Sequence, residues 1–259
     1  MAESDSDEII AMQHEFEWLL QEEVSAVLEQ LKGILLECCH RLPVGMPGVD
    51  IIPKTEKYFM SNSSSSTQDQ VKVVVTLSGD NISHADINLR IHKHQVPSHR
   101  TIVQNDCQWK LQQIQDAGNH LMLALHLLPS HASTNQQNKY NFRSAEEVTE
   151  MVNKLMSCLQ RGRACLIIPK RKTIDELQKS RNMKSLQPPL PNDLAVSFYV
   201  QAHKLVFAVY HLQKDQQGSM KFDVYQAESS VPWLSEVLVL FTVSLQLCQQ
   251  LKDKVSVFC

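Results

Sequence analysis

The sequence predicts an α+β fold: an antiparallel helical bundle built from N-terminal, central and C-terminal helices, plus a separate, mainly antiparallel β-sheet domain. Three observations predict it. In four long segments apolar residues recur every three to four positions, the spacing that gives a helix one buried face. Two regions between them alternate apolar and polar residues singly, as half-buried strands do. The order is helix, strands, two helices, strands, helix, which favours segregated layers over a doubly wound sheet.

The first helix is expected from about Ile9 to Leu42. Leu20, Val24, Val27, Leu31, Ile34 and Cys38 fill successive a and d positions of a heptad, and Leu28 and Leu35 widen the stripe. Pro43, Gly45, Pro47 and Gly48 then remove amide donors and demand special backbone angles, which ends it. Period two follows: Val71, Val73, Val75 and Leu77, then Ile87, Leu89 and Ile91, separated by the turn residues Gly79-Asp80-Asn81. Tyr58–Met60 is a third strand candidate, and the polar run Ser61–Thr67 reads as a loop.

Helical spacing returns at Cys107–Leu128, where Leu111, Ile114 and Leu121 lead a stripe, Gly118 permits close approach of a neighbour, and Pro129 stops the helix. A third helix begins with the capping pattern Ser144-Ala-Glu-Glu147 and runs to about Ile168. Alternation resumes at Val196, Phe198 and Val200, continues at Leu205, Phe207 and Val209, and ends with Met220, Phe222 and Val224. Pro232 opens the last helix, whose stripe is Leu234, Val237, Phe241, Cys248, Leu251, Val255 and Phe258. The bundle domain therefore comprises 9–42, 105–168 and 231–258, and the β domain 50–104 and 186–228. Residues 1–8 form a disordered acidic tail and 169–185 a basic linker.

Composition excludes several function classes. A formal charge of −3 gives no overall attraction to nucleic acid, so none is expected as a partner. Seven cysteines and no apolar leader argue for a reduced, cytosol-facing protein. Seven glycines, none in a phosphate-cradling arrangement, disfavour common nucleotide chemistry. The stretch Val231–Cys248 is long enough to span a bilayer, but Glu236 and Gln246 interrupt it, so no transmembrane segment is expected, while peripheral membrane association stays open.

No catalytic motif is recognised, so catalytic residues, cofactors and metals are all expected to be none. His92 and His94, with His84 and His99 nearby, invite a metal, yet no ligand-spacing signature accompanies them. Cys38-Cys39-His40 chelates poorly, since adjacent helical residues point about 100° apart. The basic run 170–184 could meet lipid headgroups, an acidic protein or a nuclear import receptor, against the plainer expectation of a solvated linker. Helix faces as broad as these favour an internal bundle over a two-stranded dimer seam, so a monomer is expected outside any complex.

Three stretches carry a family resemblance. They are Trp18-Leu19-Leu20 with Glu23-Val24, Ala26-Val27-Leu28 and Gln30-Leu31; Gln108-Trp109-Lys110-Leu111-Gln112-Gln113-Ile114-Gln115-Asp116-Ala117; and Pro232-Trp233-Leu234 followed by Phe241-Thr242-Val243-Ser244-Leu245-Gln246-Leu247-Cys248-Gln249-Gln250-Leu251-Lys252-Asp253-Lys254. This pattern resembles the Rogdi family. The family often continues past the position of Ser256-Val257-Phe258 with a short aromatic tail, whereas this sequence stops at Cys259. The resemblance implies a non-enzymatic regulatory subunit of a rabconnectin (RAVE)-type complex, which promotes assembly of the vacuolar proton pump (V-ATPase) and vesicle acidification. It implies rabconnectin-type WD-repeat scaffolds and V-ATPase V1 subunits as partners. It also implies a cytoplasmic location, at synaptic vesicles or the presynapse in neurons, with the nuclear envelope or nucleus left open. A rival expectation, from the zipper spacing and the basic run, is a leucine-zipper-type dimeric nuclear regulator.

Overall fold

The computed structural model of the chain describes residues 11–42, 54–62, 69–128, 142–170, 172–214 and 220–258. The acidic residues 1–8, the terminators Pro43 to Gly48, most of the Ser61–Thr67 run, Pro129 and Cys259 lie outside these. The chain divides into two compact units: residues 1–41, 117–164 and 237–259, and residues 42–116 and 165–236. The fold is α+β, with helices and a distinct antiparallel sheet.

The first unit is helical. Residues 11–18 are helical and lead through one π turn, Leu19–Glu23, into α1, Val24–Arg41. Along α1 the fully buried positions are Val24, Leu28, Leu31, Leu35 and Cys38, while Val27 and Ile34 are half-buried. The buried face is thus rotated toward the two leucines, making the broad stripe of a bundle helix rather than a narrow seam. The other helices are α2, Gln112–Leu127, and α3, Ala145–Ile167, with α6, Pro232–Val255, at the end of the chain. Their stripes are continuous: Leu121 on α2, Val148, Val152, Leu155 and Leu159 on α3, and Val237, Phe241, Cys248, Leu251 and Val255 on α6 are all buried.

Two contacts fix neighbours in this unit. Gly162 of α3 lies under the ring of Phe241, so close that an added methyl would stand 2.9 Å from Cε1 and 3.3 Å from Cβ of His120. Gly162 makes a close approach of this kind, and Gly118, where one was expected, is also buried. Lys254, near the end of α6, pairs with Glu23 in the π turn. By length and composition α6 could cross a membrane, and about a third of its most apolar 18-residue window (33%) is buried. Leu234, Val237, Phe241, Cys248, Leu251 and Val255 of its stripe are buried inside the protein.

The second unit is built on the sheet. Its strands are β1 Thr55–Ser61, β2 Gln70–Ser78, β3 Asn81–Arg90, β4 Ser98–Val103, β5 Trp109–Lys110, β6 Leu194–Gln201, β7 Lys204–Lys214 and β8 Met220–Ser230. They run in the order β4-β3-β2-β1-β8-β7-β6, with β5 on β3. Two antiparallel meanders are thus joined at β1 and β8, where Ser61 pairs with Glu228. Alternation decides the faces: Val71, Val73, Val75 and Leu77 of β2 are buried, and Lys72 is exposed. Gly79, at φ 64°, opens the two-residue turn between Ser78 and Asn81, a conformation that favours glycine.

The sheet curls until the segment before β6 reaches the β4 edge, where Ile102 and Gln187 exchange backbone hydrogen bonds of 2.9 and 3.1 Å. Two features depart from expectation. Trp109 and Lys110 pair with β3 before helix α2 starts, because Leu111 donates its N–H to the Asp80 carbonyl at 2.7 Å and holds the segment extended. Residues 172–185, expected to be a linker, form two short helices, α4 Ile174–Gln178 and α5 Arg181–Lys184. Thr173 and Glu176 cap α4 reciprocally, Ser180 caps α5, and Leu177 and Leu186 are buried beneath them.

Candidate functional site

A cleft of about 720 Å³ lies in the second unit, between the open face of β6–β8 and the α4–α5 segment. Its floor is aromatic. Trp109 meets Phe198 edge-on at 5.4 Å between ring centres, and Tyr210 meets Phe222 at 6.1 Å. Such ring pairs prefer offset or edge-on geometry, and they present large apolar area with few torsions to freeze on binding. Phe222 and Val224 remain 52% and 43% exposed, an unusual state for side chains of this size in a sheet. Phe59, on the same open sheet face one strand away, is 75% exposed.

Polar bonds hold the walls in place. Gln113 at the start of α2 donates to the carbonyls of Cys165 (2.9 Å) and Val200 (2.8 Å) and accepts from the Val200 N–H (2.9 Å), tying α2, the end of α3 and β6 together. The Trp109 indole donates to Ser185 at 3.4 Å, whose hydroxyl donates to the Asn182 carbonyl at 2.7 Å, so the floor is pinned to α5. Gln178 at the end of α4 donates to the Asn192 carbonyl at 2.7 Å.

The rim is cationic. Lys110, Lys170 and Lys172 face the cleft with one carboxylate, Asp175. Lys170 is bound to Asp116 at 2.6 Å, which raises its pKa, and Lys110 sits 3.7 Å from Asp80. Among the described lining residues there is no histidine or cysteine, and the Thr173 hydroxyl is engaged in capping Glu176. Among the described residues the arrangement offers an apolar socket with basic edges and no paired nucleophile and base, which suits recognition of an apolar or aromatic side chain flanked by acids.

Of the helix-packing residues singled out in the sequence, Leu111 borders the cleft and the other described ones lie away from its lining. Leu20, Val24, Leu31, Leu121, Val237, Phe241, Cys248 and Leu251 are buried in the helical unit; Leu111, Ile114 and Leu234 are buried in the unit that carries the sheet. Burial pushes the thiols of Cys38, Cys39 and Cys248 up to about 12, which makes them unreactive small apolar residues. His84 and His92 stay apart, whereas His94 and His99 meet at 3.1 Å. The cleft escaped the sequence because its roof is the stretch taken for a linker. The signal was present as Thr173-Ile-Asp-Glu176, a capping box inside the basic run.

Comparison with known proteins places relatives beside this geometry. A family profile described as "Rogdi leucine zipper containing protein" matches residues 15–224. The chain is similar to a protein described as "Protein rogdi" from Drosophila melanogaster, 48% identical over 258 residues, which span 100% of this chain and 92% of the relative. A "Protein rogdi homolog" from Danio rerio is 41% identical over 100% of this chain and 97% of its own length. The one from Homo sapiens is 38% identical over 95% of this chain and 92% of its own. The profile ends before α6, while the Drosophila match continues through it. Neither the profile's description nor these names carry an enzymatic activity.

Proposed function

Because the chain belongs to the Rogdi family, we propose that it is a non-enzymatic regulatory adaptor, a subunit of a rabconnectin (RAVE)-type complex that promotes V-ATPase assembly and vesicle acidification. Its partners are a WD-repeat scaffold of the rabconnectin type and V1 subunits of the pump. It works on the cytoplasmic side of vesicles, in neurons at the presynapse. One observation supports this reading most: the cleft of about 720 Å³ pairs an exposed aromatic floor with lysines. Such a surface suits the docking of a protein segment.

The zipper stripes fit this reading and not a dimeric regulator. Val24, Leu28, Leu31 and Leu35 are fully buried in the chain itself, so they are already spent.

The full chain, tagged and captured from cell lysate under mild conditions, retains the WD-repeat scaffold and V1 subunits at near-stoichiometric levels, read by quantitative mass spectrometry. Capture that recovers neither of them would remove the adaptor reading.

A further inference from the structure

We propose that His94, Asp193 and His211 form a binding site for one divalent transition-metal ion, zinc in the first instance, that clips the β3–β4 connection to β6 and β7. The site lies apart from the aromatic cleft, and it does not depend on the adaptor reading. His94 sits in the tight connection between β3 and β4, closed by the Ile91 N–H on the Pro97 carbonyl at 2.9 Å. Asp193 immediately precedes β6. Its carbonyl accepts from the Leu212 N–H at 2.7 Å, which fixes it beside His211 on β7.

The donor atoms converge. His94 Nε2 lies 3.1 Å from Asp193 Oδ1, His211 Nε2 lies 3.9 Å from Asp193 Oδ2, and one donor from each residue falls within 4.8 Å of the others. With metal–donor bonds of roughly 2.0–2.2 Å, tetrahedral zinc separates its ligands by about 3.4 Å. The observed spacings bracket that value, so small side-chain shifts complete the geometry.

The local backbone also holds the ring: His94 Nδ1 lies 2.8 Å from the Val96 carbonyl and 3.1 Å from the Val96 N–H, while Nε2 faces Asp193 Oδ1 at 3.1 Å. Binding the remote ring nitrogen to a backbone carbonyl is how proteins orient metal-ligating histidines. The Gln213 side chain lies 3.3 Å from His211 Nδ1 and reaches Asp223 at 3.1 Å, giving the second imidazole an outer partner too.

Burial and charge fit the same picture. The side chains of His94 and His211 are each 5% exposed, whereas that of Asp193 is 45% exposed and gives an ion its way in and room for a water ligand. Two imidazoles and one carboxylate select zinc and its d-block neighbours over magnesium and calcium, which demand more oxygen ligands.

The test uses the full chain stripped with a chelator. Titration calorimetry with Zn²⁺ gives one ion per chain with Kd of about 1 µM or tighter. At a hundredfold excess of free ion over Kd, the melting temperature rises by roughly 5–10 °C. Asp193→Asn and His94→Gln each weaken binding at least ~10-fold and abolish the thermal shift, while the exposed-histidine control His92→Gln keeps both. Co²⁺ in place of Zn²⁺ shows the visible bands of a tetrahedral site in the wild type and not in Asp193→Asn. Failure of the wild type to bind Zn²⁺ overturns the proposal, as does binding that survives unchanged in both ligand variants.

Discussion

Two glycines in helices carry opposite expectations. Gly33 on α1 has open space where a Cβ would stand, so Gly33→Ala stabilises by about 0.5–1 kcal/mol through helix propensity alone. The same change at Gly162 drives a methyl to 2.9 Å from the fully buried Phe241 ring. Overpacking there costs about 1–3 kcal/mol and outweighs the propensity gain, so Gly162→Ala destabilises. Urea unfolding of both variants reads the two signs. The buried thiols give a second residue-level expectation. Cys38, Cys39 and Cys248 resist alkylation in the native state at neutral pH, and mass spectrometry after brief iodoacetamide treatment checks it. Their folded pKa is raised, so the stability they contribute is intact below the unfolded value near 9 and is lost as pH climbs from there toward about 12. At this scale the sequence was readable where one element makes the contact, as for Phe241 and Leu251. It was silent where contacts join distant segments. His94, Asp193 and His211 lie on three separate stretches, so no spacing rule could unite them, whereas neighbouring His92 drew notice and points elsewhere.

Periodicity located the four long helices and most strands, because each buries one face and repeats it for several turns or residues. Heptad spacing puts Val27 and Ile34 on the midline and Leu28 and Leu35 at its side, the reverse of what is most buried, since a broad stripe of apolar residues does not reveal its own midline. Strand β4 went unread because Ser98, His99 and Arg100 mask its two buried positions, Thr101 and Val103. The 172–185 stretch failed for a related reason: its charges face water, while two caps and the buried Leu177 and Leu186 supply the order. Helices this short have little intrinsic stability, so their caps matter more than usual. Thr173→Ala removes the reciprocal cap on α4 and costs about 1 kcal/mol locally. Hydrogen exchange of residues 173–179 speeds up several-fold in that variant, with exchange in β7 unchanged; equal protection in both would show that α4 owes nothing to its cap.

The molecule assembles two units from a chain that leaves and re-enters each of them, which is why no contiguous half of the sequence corresponds to a domain. Its two strand segments join one sheet where Ser61 pairs with Glu228, and the aromatic cleft opens on the β6–β8 end of that sheet. Helical unit and sheet were both legible as pattern, but the cleft was not, because it exists only once β5, α4–α5 and β6–β8 converge. Substituting an exposed floor residue there should leave the fold intact, since surface changes usually shift stability by no more than about 0.5 kcal/mol. Phe222→Asp is such a change, placing a carboxylate on the half-exposed floor. The most direct measurement is the ratio of co-purified WD-repeat scaffold and V1 subunits between Phe222→Asp and wild type, with circular dichroism confirming equal folding. An adaptor that docks through the aromatic cleft loses at least ~10-fold of its partners in the variant. Undiminished partner recovery by a folded Phe222→Asp protein would contradict it.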